Sequence, residues 1–259
     1  MPRIGLAVKI EYVKNVNLSA LAGFVEMALN NMCTVSTRWH VTNKVVDEAL
    51  RRVSLIATQS LRERGAFHLV LAGGNTPRDL YARLSALPMD WSGWHVWFGD
   101  ERCLPLHDAA RNSQMACSVW LARSAIPRSQ IHVIRAELGA EVAAADYAEQ
   151  LCGVGAFDLV LLGLGEDGHT ASLFPGQVDR QTVADVVAVH NAPKPPADRI
   201  SLSVRRLSYA HHVLFLVSGI GKRDAVAAWQ HGENIPAAAI CPASGVVVLV
   251  EPVCLEGVG

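Results

Sequence analysis

The residues with the greatest chemical capacity in this chain lie in Gly163-Leu-Gly-Glu-Asp-Gly-His169-Thr-Ala-Ser-Leu-Phe-Pro-Gly176. Histidine titrates near neutrality, so His169 is a candidate general base that takes a proton from water. Asp167, two residues earlier, is placed to orient the imidazole or to support its charged form. Gly163, Gly165 and Gly168 also satisfy the G-x-G-x-x-G spacing of dinucleotide sites. Two features oppose that reading. Glu166 and Asp167 would repel a pyrophosphate. Pro175-Gly176 also closes the following segment within about two turns, where the nucleotide fingerprint opens a full helix.

Other loops add to this set. Gly73-Gly74-Asn75-Thr76-Pro77 follows the apolar run Phe67–Ala72. Its glycines allow a ligand close approach, Thr76 is expected to cap a helix, and Pro77 suits the first helical position. Free amides over Gly74–Thr76 would then face an anion. Gly99-Asp100-Glu101-Arg102 gathers charge at another strand end. Lys194, Arg199 and Lys222-Arg223 supply cations, and a lysine in the first turn of a helix opposes the dipole unless an anion lies nearby. Taken singly, these are also a capped turn, a solvated charge run and surface lysines. What favours a site is that the glycine-rich loops all follow strands, whose carboxyl ends share one crevice in an open α/β sheet. No G-x-S-x-G elbow, H-E-x-x-H pair or Cys/His ligand cluster is present, so neither a serine hydrolase of that type nor catalytic zinc is expected.

The elements that position these loops alternate. Strand-like runs at 38–42, 67–72, 94–98, 131–134, 157–162, 186–189, 199–204, 212–217 and 245–250 are interleaved with helical segments at 44–64, 78–84, 112–123, 141–151 and 219–230. That alternation predicts α/β architecture: a single doubly wound, mostly parallel sheet with helices on both faces, Rossmann-like in layout. Residues 1–35 read as an N-terminal appendage of uncertain order and 36–259 as the domain.

Half of the 259 residues are hydrophobic, enough for a sizeable core, and the net charge of −1 offers no general attraction for nucleic acid or anionic membrane. No apolar run approaches the roughly 20 residues of a membrane span. The six cysteines form no C-x-x-C pair, which makes reduced thiols and a cytoplasmic setting the expectation.

Gly73-Gly-Asn-Thr-Pro77, Asp100-Glu-Arg-x-x-Pro105, the 163–175 motif and Pro193-Lys-Pro-Pro-x-x-Arg199 together resemble the 6-phosphogluconolactonase family, from about residue 36 onward. The His169-Thr-Ala-Ser-Leu-Phe-Pro175 ending is the specific part. Related glucosamine-6-phosphate deaminases share the Gly-x-Asp-Gly-His core but continue differently. The resemblance implies hydrolysis of a small-molecule phosphorylated sugar lactone, 6-phosphogluconolactone, in the pentose phosphate pathway, with no metal, cofactor, nucleic acid or membrane partner. On this reading His169 and Asp167 are catalytic, and Gly73, Gly74, Asn75, Thr76, Asp100, Arg102, Arg199 and Lys222 bind substrate. Asn75 and Arg111 stand where the family commonly has serine, and Arg111 is expected to add a cation near the crevice. A deaminase-like enzyme and a non-catalytic sugar-phosphate binder are the alternatives.

Overall fold

The computed structural model describes residues 36–255; the N-terminal appendage expected at 1–35 lies outside them. Six parallel strands form the main sheet: β1 (Thr37–Val41), β2 (Phe67–Leu71), β3 (Trp94–Phe98), β5 (Phe157–Gly163), β8 (Ala210–Val217) and β9 (Val246–Val250), in the order β1-β9-β8-β5-β2-β3. The helices are α1 (Val45–Arg64), α2 (Asn75–Leu84), α3 (Asn112–Ala116), α4 (Ala140–Gln150), α5 (Val204–Ser208) and α6 (Arg223–Gln230).

Sequence explains the layers. Phe157 to Leu162 of β5 are all buried, as a parallel strand covered on both faces requires. Helix α1 turns Val45, Ala49, Val53 and Ala57 inward at four-residue spacing and ends at Gly65, whose left-handed φ of 72° returns its N–H to Leu61 O at 2.9 Å. From β2 the chain steps to β3 in one direction; from β5 it steps through β8 to β9 in the other. The winding therefore reverses between β2 and β5, and a crevice opens there beyond their carboxyl ends.

The α/β class holds, but the expectation of a single sheet needs a correction. The runs at 186–189 and 199–204 are not strands of the main sheet. Val186–Val189 (β6) and Arg199–Leu202 (β7) pair antiparallel with each other, and β7 pairs with Asp100–Arg102 (β4) in a second sheet of three strands. The run at 131–134 contributes only a single bridge, Ile131 to Val96. The helix expected over 112–123 is α-helical only to Ala116 and widens to a π-turn over Cys117–Leu121. Cys103, Cys117, Cys152 and Cys254 are free thiols. Cys241 is disulfide-bonded, which corrects the expectation of reduced thiols at that position.

Near the amino ends of β2 and β3 three histidines stack. His68 lies 4.5 Å from His95, and His132 packs on Trp97 with ring centroids 3.7 Å apart. Trp97 Nε1 donates to His68 Nδ1 at 3.1 Å, so that nitrogen must carry a lone pair. Burial, then the neighbouring His95 charge, lowers His68 and His132 to about 4 from the ordinary 6.5. The folded state thus binds fewer protons than the unfolded chain below pH 6.5. The stability from this seam is full above that pH and is lost as pH falls toward 4. We expect denaturant midpoints to drop over this window. The loss should be on the order of 1 kcal/mol per histidine, allowing for solvent screening at partly exposed rings. Replacing His132 with Phe should flatten the profile.

Candidate active site

The crevice has a volume of about 230 Å³. Its walls include Gly73 and Gly74 after β2, Asp100 and Arg102 of β4, the 163–165 turn after β5, His169, Lys194, Arg199 and Lys222. Seven residues expected from sequence to form the site therefore meet here: His169, Gly73, Gly74, Asp100, Arg102, Arg199 and Lys222. Asp167 stands directly behind His169.

The turn after β5 closes on itself. Gly165 N–H donates to His169 O at 2.7 Å, and Thr170 Oγ1 donates to Gly163 O at 2.8 Å. This folding-back brings the His169 imidazole over Gly165 and places Nδ1 in a hydrogen bond with Asp167 Oδ1. A carboxylate on Nδ1 fixes the proton there and leaves Nε2 with the lone pair, the tautomer a general base needs. Burial would raise the Asp167 carboxyl, but the bond and charge of His169, with backbone amides, hold it below its ordinary value. Asp167 is thus kept as an anion.

Gly165 has a steric reason. A Cβ there would lie 2.0 Å from His169 Nδ1 and 2.7 Å from Asp167 Oδ1. Gly165→Ala must push the ring off its carboxylate. Its expected effect is a fall in kcat on the order of 100-fold, as for small misplacements of catalytic groups. Steady-state kinetics beside a circular dichroism spectrum would check this, and an unchanged kcat would refute the packing argument.

The cations differ in how they are held. Arg199 is 6% exposed and donates from Nε to Pro196 O at 3.1 Å and from Nη2 to Lys194 O at 2.9 Å, while its guanidinium lies 5.5 Å from the Phe174 ring centroid. It therefore fixes the loop that carries Lys194. Arg102 bonds to the Ala110 carbonyl through Nη1, and its buried Nε has no partner among the described residues. Lys222 closes a 3₁₀ turn, Ile220–Lys222, immediately before α6. It makes no ion pair within the described residues, and neither does Lys194.

Several expectations need correcting. Asn75 and Thr76 do not line the crevice: α2 begins at Asn75, Gly74 (φ 106°) is its N-cap, and no side chain caps it. Thr76 is the second helical residue and Pro77 the third, so the side-chain cap expected of Thr76 does not form. Asp100 lines the wall but both carboxylate oxygens are engaged, by Asn112 Nδ2 at 3.0 Å and by Ser172 Oγ at 2.7 Å. Arg111 is absent from the crevice. It is completely buried, donating to Glu137 Oε2 at 2.7 Å and Ile134 O at 2.7 Å, with Nε 3.5 Å from Glu101 Oε2. Asn112, which does line the crevice, was not among the expected site residues. Its sequence signals are its place shortly after the Asp100-Glu-Arg motif and its match to the family asparagine that serine often precedes.

Among the described residues no cluster of three or more His, Cys, Asp or Glu is arranged to hold a metal ion. No helix there is long and apolar enough to cross a membrane. What the crevice offers is one base-competent histidine and four cations, a combination suited to an anionic substrate with an electrophilic carbon.

Comparison with known proteins gives the family. The family model for glucosamine-6-phosphate isomerases/6-phosphogluconolactonase matches residues 41–249, which include every loop of the crevice. The chain belongs to this family. A 6-phosphogluconolactonase of Mycobacterium leprae is 38% identical over 222 residues, 79% of this chain and 88% of the relative. A chloroplastic 6-phosphogluconolactonase 3 of Arabidopsis thaliana is 35% identical over 216 residues, 76% of this chain and 66% of the relative. The chain spans 58% of the two corresponding rice proteins. Among solved structures, a 6-phosphogluconolactonase of Thermotoga maritima superposes with a TM-score of 0.78 at 27% identity, covering 83% of this chain and all of that one. The mostly parallel sheet flanked by helices is thus the family's fold.

Proposed function

We propose that this chain hydrolyses 6-phosphogluconolactone to 6-phosphogluconate, in the oxidative pentose phosphate pathway and in a cytoplasmic setting, through its domain at 36–259. The observation that carries the reading is the base-competent His169, its Nδ1 tied to Asp167, in one crevice with Arg102, Lys194, Arg199 and Lys222. Relatives named 6-phosphogluconolactonase support the substrate.

A lactone is already an activated ester, so no covalent nucleophile is required. His169 Nε2 takes a proton from water as the water oxygen bonds to the ring carbonyl carbon. The tetrahedral oxyanion then collapses, the bond to the ring oxygen breaks, and that oxygen leaves as a hydroxyl by taking the proton back from the His169 imidazolium, which restores the neutral base. Asp167 supports the transient imidazolium. Arg102, Arg199, Lys194 and Lys222 hold the phosphate and offset the developing negative charge. Gly73 and Gly74 let the sugar approach the backbone. Asp100 holds the wall.

A paired assay tests the substrate. Given 6-phosphogluconolactone, the protein should release acid faster than the spontaneous reaction; given glucosamine 6-phosphate, it should release no ammonia. Ammonia release without lactone opening would replace this reading with the deaminase one. Binding without acceleration of either would leave a sugar-phosphate binder.

A further inference from the structure

We propose that Asn112 is a specificity-determining residue of the crevice, its side-chain oxygen accepting a hydrogen bond from one hydroxyl of the bound sugar. The inference rests on the preceding reading that the crevice takes a phosphorylated sugar lactone.

Asn112 is 4% exposed, and its amide orientation is forced. Nδ2 donates to both Asp100 O and Asp100 Oδ1, each at 3.0 Å. Flipping the amide would set its oxygen against two acceptors. Asp100 cannot swing aside, because its other oxygen accepts from Ser172 Oγ at 2.7 Å. Asn112 Oδ1 must therefore face the other way, toward Gly73, where an added Cβ would lie 2.1 Å from it. No donor among the described residues reaches that oxygen.

The backbone is fixed as firmly. Glu101, fully buried, accepts Asn112 N–H at 2.7 Å and Ser113 N–H at 2.8 Å, and Arg111 neutralises it from 3.5 Å. The result is a rigid acceptor with both its own donors spent. Such a group repels a phosphate or a carbonyl, which are acceptors themselves, and selects a hydroxyl, which donates. Phosphate falls to the four cations; Asn112 reads the sugar.

A site built around a fixed hydrogen-bonding group rejects an analogue that lacks the partner, because the buried group is left unpaired. The test compares kcat/KM for 6-phosphogluconolactone and its 2-, 3- and 4-deoxy analogues, each corrected for spontaneous opening. In the wild type one analogue should lose on the order of 10- to 100-fold. In Asn112→Ala the penalty at that position should shrink to within about twofold while the other two persist, the signature of a pairwise coupling. The bonds to Glu101 come from backbone amides, so Asn112→Ala keeps its helix start. Gly73→Ala, whose methyl displaces Asn112 Oδ1, should erase the same penalty.

Three unchanged penalties in folded Asn112→Ala and Gly73→Ala would overturn the proposal. So would a wild type that penalises no analogue, a result needing no variant. Titration of the matching deoxy-6-phosphogluconates separates the two readings. A coupled penalty in binding without lactone turnover supports the role of Asn112 and overturns the hydrolase reading. Turnover with uncoupled penalties does the reverse.

Discussion

Replacing His169 with Asn should lower kcat by on the order of 100-fold or more while leaving KM within a few-fold, the scale expected when a positioned base is removed. Asparagine keeps a polar group of similar reach, and the backbone bond from Gly165 N–H to residue 169 survives. The melting temperature should therefore stay near that of the wild type. Asp167→Asn tests the same point from behind. The neutral amide offers no charge to the imidazolium that forms, even where its oxygen keeps the place on Nδ1 and the His169 N–H. Its kcat should fall comparably, although Asp167 never touches the reacting carbon. Near-normal turnover in either variant would remove His169 from the chemistry.

The largest expected effect on stability belongs to Arg111. Its side chain, like that of Glu101, is 0% exposed, and removing one partner of a buried ion pair strands the other charge. We expect Arg111→Met to destabilise the protein by about 3 kcal/mol, at the low end of the usual range for such a loss. Two facts set it there. Glu101 retains three backbone donors, from Arg102, Asn112 and Ser113. Glu137, whose side chain is 28% exposed, can turn to water. For a domain of this size the melting temperature should fall by about 6–12 °C. Arg111→Ser, which also leaves a cavity, should cost at least as much. A shift of less than about 1 °C would show the pair to be energetically idle.

Local signals in the sequence identify the parts of the site that fold locally. The buried run Phe157–Leu162, the glycines beyond it and the Asp167–His169 spacing lie within 13 residues, so their joint geometry follows from one strand and one turn. The same holds for Gly73-Gly74. What escaped depends on distant partners. A four-residue apolar run such as Val186–Val189 shows that a strand exists but not which sheet it joins. Only pairing with Arg199–Leu202, and that strand's pairing with Asp100–Arg102, takes it out of the main sheet. Arg111 reads as a crevice cation because nothing near it in sequence announces that Glu137 and Ile134 O will enclose it. Asn112 is missed for the matching reason, since its meaning comes from Asp100 and Ser172, in two other segments. Thr76 and Pro77 carry ordinary start-of-helix chemistry, yet the backbone at Gly74 starts α2 two residues sooner than a Thr76 cap would allow.

Whether this crevice opens a sugar-phosphate lactone is decided by the initial rate of acid release from fresh 6-phosphogluconolactone at neutral pH, measured against enzyme concentration. The buffer-only rate is subtracted, because the lactone also opens unaided. The rate should rise linearly with enzyme and saturate with lactone. A rate indistinguishable from buffer alone at every enzyme concentration, from protein shown to be folded, would contradict the proposed hydrolysis.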